Sequence, residues 1–221
     1  MDSSTRVSLA ELAPDVDTYL GLVSYLQLEV FEAAARAVAL APDLRAKDAL
    51  SALAAEALER HRDAEAQLQR RREDPVEVME PFTPRVDAFI ARVQTHDWAE
   101  LVLSVYLLSG FFNDFFAELA RGIDEDAARA TVELLGRNDA AERVAAMLGR
   151  LLQDDRVLRD RLALWGRRLM GDSLLLARSA LVRSESGDAE GIGLEEERIE
   201  PVFTELVGNH MRRMDGLGLT A

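Results

Sequence analysis

The chain sets 26 Lys and Arg against 40 Asp and Glu over 221 residues, a formal charge of −14, and contains 13 Gly, 6 Pro and no Cys. The missing cysteines exclude disulfides and thiolate nucleophiles or metal sites, leaving oxygen donors and His61, His96 and His210 for any metal. The acidic balance opposes phosphate backbones and anionic lipid, and so few turn residues in a 48% hydrophobic chain favour long helices over an all-β fold.

Residues 1–13 read as a flexible N-terminus without the apolar run of a signal peptide, so the cytoplasm is the expected compartment. Pro14 opens helix one, whose apolar positions Tyr19, Leu22, Leu26 and Val30 recur at helical spacing up to Leu40. Pro42 opens helix two, with Leu50, Leu53, Ala57, His61, Ala64 and Leu68 on one stripe, fading in Arg70–Asp74. Three prolines (Pro75, Pro81, Pro84) divide Asp74–Thr95 and leave room for one short helix from Pro84 to about Val93. His96-Asp97 caps helix three, Trp98 to Arg121, with Gly122 as a left-handed terminator. Its run Leu101–Phe112 is uncharged but too short to span a bilayer, which takes about 20 residues. Asp124 caps helix four, to about Leu152, and Asp154 or Asp155 caps helix five, to about Arg183. Residues 185–193 form a Gly-rich linker, and a last helix, broken near Pro201, covers 194 to about 215 and packs on the bundle formed by residues 14–184.

Short joints after helices one and three make hairpins, and the long stretch between helices two and three allows a crossover. The fold class expected is therefore all-α: a four-helix bundle of ferritin-like wiring, with a fifth covering helix that uses Leu162, Trp165 and Leu169, and a C-terminal helix. Such bundles house two metals between a Glu on each of two helices and a Glu-x-x-His on each of the other two, because residues i and i+3 share a face. Here His61 lies on the inner stripe of helix two but is preceded at that spacing by Leu58, and helix four has no histidine. Glu32, with Glu29 as the competing choice, is a candidate inward acid on helix one, and Asp114 is the one formal charge between Leu101 and Ala117. Arg150–Arg183 carries eight Arg against four Asp, and Arg159, Arg167 and Arg168 mark its candidate nucleic-acid surface.

The order and spacing of several stretches point to a family. They are Val30-Phe31-Glu32, Ala46-Lys47 through Ala55, Asp74-Pro75, Met79-Glu80-Pro81-Phe82, Asp97-Trp98, Tyr106, Asp114-Phe115, Arg161 through Leu169 with Trp165, and His210 through Leu219. Over about Asp15–Leu219 the chain resembles the actinobacterial ferritin-like proteins related to the tRNA hydroxylase that acts on the isopentenyl side chain of methylthio-isopentenyl-adenosine. The resemblance implies a di-iron site, and this sequence departs from it. The helix-one acid carries over to Glu32. The Glu-x-x-His of helix two falls on Ala57 and Arg60, with Glu56 and His61 each displaced by one; the acid of helix three falls on Ser109, and the acid-x-x-His of helix four on Arg137 and Ala140.

Two readings of different class follow. In the first, the chain is a metal-free, non-catalytic relative that serves as a binding or assembly scaffold, with Glu32, Arg60, Arg137 and Asp114 ion-paired in the old site. In the second, it is a di-iron hydroxylase or oxidase acting on tRNA, its two irons held by a shifted set of Glu32, Glu56 or Glu59, His61, Asp114, and Asp139 or Glu142. Helix three offers Val102, Val105, Leu108, Phe112, Phe115 and Phe116 around its circumference, more than one seam needs, which predicts a homodimer or a heterodimer with a ligand-complete relative.

Overall fold

Aspartates set where the long helices begin. In the computed structural model, which describes residues 9–123, 126–181 and 192–219, the Asp15 carboxylate accepts from the Asp17 and Thr18 amides and opens α1, Val16–Ala39. Asp43 accepts from the Ala46 amide and opens α2, Leu44–Arg70. Pro14 and Pro42 therefore stand just outside the helices they were expected to start, because a carboxylate satisfies an orphan N–H and a proline cannot. Asp74 caps α3, Pro75–Met79, and a 3-10 turn over Glu80–Phe82 leads into α4, Thr83–Arg92. Asp97 caps α5, Trp98–Ala120, as the sequence predicts. Then come α6, Asp126–Leu135, α7, Asp139–Leu152, α8, Arg156–Leu181, opened by Asp155, and α9, Ile192–Gly216, which runs through Pro201 without a break.

Side-chain rungs show the direction of each helix pair. Tyr19 Oη reaches the Phe116 carbonyl, Gln27 meets Asn113 and the Trp98 indole reaches the Ala37 carbonyl, so α1 and α5 are antiparallel. Ser24 with His61 and Asp17 with Arg71 run α2 against α1; Gln67 with Thr131 and Glu56 with the Ala140 amide run α6 and α7 against α2. This is the antiparallel four-helix bundle with its crossover, α3 and α4, laid along the side. The fifth helix covers it as expected: Leu162, Trp165 and Leu169 of α8 are buried, and the Trp165 indole donates to Ser104 Oγ at 2.8 Å. With Arg161 on Glu100 as the next rung, α8 runs parallel to α5.

Three expectations change. Helix four is two helices, because the backbone leaves the helix at Gly136–Asn138. Gly122 is not left-handed; a Cβ there would overlap the Ala10 carbonyl, so the glycine admits the 3-10 turn at Leu9–Leu12, within the segment read as flexible. Among the described residues the left-handed terminators are Arg72 and Gly218. The apolar surplus of helix three is covered inside the chain: α1, α6, α7, α8 and α9 surround α5, and Val102, Val105, Leu108, Phe112, Phe115 and Phe116 are all buried. That burial also accounts for α5 being long and apolar enough by composition to cross a membrane. The Asp124 cap, Val202, Arg183 and the linker before Ile192 lie outside the residues whose placement or side chains are described.

Candidate functional site

The bundle interior carries a polar seam. On α1 the inward stripe through Tyr19, Val23, Leu26, Val30 and Ala34 includes Ser24 and Gln27, both fully buried. Gln27 Nε2 donates to Asn113 Oδ1 of α5 at 2.9 Å. Ser24 lies 2.9 Å through its hydroxyl and 3.0 Å through its carbonyl oxygen from His61 Nδ1 of α2. A backbone carbonyl only accepts, so Nδ1 carries the proton. The other ring nitrogen faces Glu65 Oε2 at 3.3 Å.

Where helix four breaks, α2 stitches the gap. Arg60, 4% exposed, donates through Nε to the Leu134 carbonyl at 3.3 Å and through Nη2 to the Arg137 carbonyl at 2.6 Å, and lies 3.4 Å from Glu56. Glu56 accepts from the Ala140 amide at 3.1 Å. One guanidinium thus serves carbonyls at the end of α6, and the carboxylate one turn away caps the start of α7, each at the helix end whose partial charge it complements. Burial pulls the Arg60 guanidinium below its usual pKa, Glu56 and Glu59 oppose that shift, and Arg137 adds to it.

Beside the stitch is a cavity of about 190 Å³ lined by Glu56, Arg60, Ser109, Asn113, Arg137 and Arg213, among others. It gathers Arg60, Ser109 and Arg137, three positions where the resemblance places metal ligands. The guanidinium of Arg213, from α9, lies over Gly110, where a Cβ would overlap it; its Nη2 donates to Asp114 Oδ2 at 2.8 Å, and its Nη1 is buried without a partner.

The predicted site residues are dispersed. Glu32 is exposed on the outer side of α1: it stands five positions, about 140° of helix, from Gln27. Arg137 reaches Glu59 at 3.0 Å, both half in solvent, and Asp114 holds Arg213, so the four-residue network of Glu32, Arg60, Arg137 and Asp114 does not form. Of the shifted metal set, His61 is bound to Ser24, Glu56 to the α7 amide, and Asp139 and Glu142 are exposed. Among the described residues no three His, Asp or Glu side chains converge as a metal site would require. The seam offers two neutral carboxamides, a hydroxyl and an imidazole already hydrogen-bonded, and the cavity offers Glu56 and Glu142 beside three arginines. Neither donor set balances the charge of two iron ions, so the residues present do not fit a di-iron centre.

On α8, Arg167 and Arg168 are exposed and Arg159 is half-buried. Arg168 spans the α4–α8 contact: it lies over the Trp165 ring at 5.4 Å and donates to the Arg92 carbonyl at 3.4 Å. Arg161 is bound to Asp97 and Glu100. Of the candidate nucleic-acid surface Arg168 is thereby engaged within the chain, as is Arg161 beside it.

Two functional features escaped the sequence reading. Gln27 is the polar member of a visible apolar stripe, a signal that was open to inspection; the helix-end role of Arg60 depends on a break that periodicity does not show. Comparison with curated proteins gives no match. A family model described as a ferritin-like domain of actinomycetes matches residues 12–187, which takes in the whole bundle and its covering helix. With that span and this wiring, the chain belongs to the actinomycete ferritin-like domain family.

Proposed function

We propose that this protein is a metal-free, non-catalytic ferritin-like relative of the tRNA hydroxylase-like proteins, acting in the cytoplasm as a binding or assembly scaffold. The observation that carries the reading is the Gln27–Asn113 pair. Between α1 and α5 the bundle interior places two carboxamides and no carboxylate, and these stay neutral at every working pH. After expression in iron-supplemented medium, metal analysis of the purified chain is expected to find far less than one equivalent, and chelator treatment should leave the melting temperature unchanged. About two equivalents of iron, lost in Glu32→Ala, would overturn the scaffold reading in favour of the di-iron hydroxylase, and with it tRNA as a substrate.

The partner proposed is a second copy of the chain, bound through α8 and not, as the sequence suggested, through α5. Val157, Leu164 and Leu175 are 79%, 64% and 57% exposed. Their spacings of seven and eleven residues keep them on one face. A single stripe of this kind is self-complementary about a two-fold axis. Sedimentation at tens of micromolar should show a dimer in both low and high salt, because the contact is apolar, and Leu164→Glu should give a monomer. A wild-type monomer in both salts rejects the dimer.

A further inference from the structure

Between α1, α4 and α5 lies a second cavity of about 390 Å³, which neither Gln27 nor Asn113 lines. Its size is that of a small-molecule site. Leu26, Val30, Phe89, Val105, Leu108 and Phe112 supply most of an apolar interior. The polar group at its floor, Ser104, is already satisfied, donating to the Glu100 carbonyl at 2.7 Å and accepting from Trp165. An apolar body can enter this space without stranding a polar atom.

The mouth carries two carboxylates, with Arg36 beside them. Glu29 and Glu32 line it from successive turns of α1, and Asp87 of α4 is tied to the same corner by Tyr25, whose hydroxyl donates to Asp87 Oδ1 at 2.6 Å. The Glu29 carboxyl is pushed above its ordinary value by burial first, then by the charges of Glu32 and Asp87, with a Tyr25 hydrogen bond opposing. Arg36, also at the rim, donates to Thr95 Oγ1 at 3.3 Å. An apolar chamber fronted by mutually repelling carboxylates selects for one kind of ligand.

We propose that this cavity binds a small organic amine, its hydrocarbon body packed against Phe89 and Phe112 and its ammonium group held by Glu29 and Glu32. Because neither Gln27 nor Asn113 lines the cavity, its occupancy does not depend on the metal content of the chain.

Isothermal titration of the full chain at pH 8 with n-octylammonium, n-octanol and n-octanoate tests the proposal. The probes share one hydrocarbon tail and differ in head-group charge. A charge-assisted hydrogen bond at a part-buried mouth corresponds to roughly tenfold or more in affinity, so octylammonium should bind at least about tenfold more tightly than octanol, with octanoate weakest. Glu29→Gln should erase most of the preference for the ammonium while leaving octanol binding unchanged, and Ala33→Trp, at the rim, should block all three probes. Octanol binding as well as octylammonium, octanoate binding best, no binding of any probe, or binding indifferent to both substitutions would each overturn the proposal.

Discussion

Arg60→Ala is expected to destabilise the protein by about 3–5 kcal/mol, the range for removing one partner of a buried ionic arrangement. The guanidinium is almost wholly buried and donates to the Arg137 carbonyl and to the Leu134 carbonyl, which also accepts from the Arg137 amide at 3.3 Å. Its removal strands the Arg137 carbonyl at roughly 1–3 kcal/mol where water does not enter, takes one of two donors from the Leu134 carbonyl, and leaves Glu56 with the Ala140 amide but without the Arg60 charge. Arg60→Lys should recover less than half of the loss, since one ammonium cannot reproduce the planar fork that reaches both carbonyls. Urea denaturation measures the difference, and amide exchange should accelerate first over residues 126–142. A loss below about 1 kcal/mol, within the range of an ordinary surface change, would show that solvent replaces the guanidinium and that the stitch is incidental.

Gln27→Glu should make stability strongly dependent on pH. The side chain is fully buried, its nitrogen is used on Asn113, and its Oε1 has no partner. A carboxyl in its place is desolvated with no cation described beside it, so its folded pKa rises above the unfolded value of about 4.3. The sign follows from proton binding. Between the two pKa values the folded state holds more protons than the unfolded state, so stability falls as pH rises through that window and levels off above the folded pKa. Each unit of upward shift costs about 1.4 kcal/mol, and a shift of two to three units places the variant about 3–4 kcal/mol below the wild type at pH 8 while leaving it close to the wild type near pH 4. Denaturation curves at the two pH values decide the matter; equal losses at both would mean that the seam already neutralises a charge, and the carboxamide reading of the interior would fall.

The contrast between Gln27 and Glu32 shows where residue-level reading succeeds and where it stops. Helix one has a clear phase, because its apolar residues occupy one arc, and a consistent use of that phase puts Gln27 inside and Glu32 outside. Reading Glu32 as an inward acid set that phase aside, and the structure leaves it exposed. On α5 no such correction was open. The helix is apolar on nearly every side, so neighbouring Asn113 and Asp114 cannot be told apart by periodicity; the packing of α1 turns Asn113 inward and α9 supplies Arg213 to Asp114. Arg60 likewise reads as a lost ligand until the break in helix four creates carbonyls for it to serve.

The sequence by itself determined the helical class, the pairing of helices into hairpins around a long crossover, and the covering role of Leu162, Trp165 and Leu169. Those follow from local rules: an apolar period near 3.6, aspartate caps, and prolines where a helix cannot continue. Only the tertiary structure decided that α5 is buried by its own chain, that Gly122 serves a close approach and not a turn, that an arginine and a glutamate of α2 terminate and restart helix four, and that the acids Glu29 and Glu32 front an apolar cavity instead of lining the core. Each of those is a meeting of residues distant along the chain, set by which faces pack together, and no local period encodes which partner a buried polar group will find.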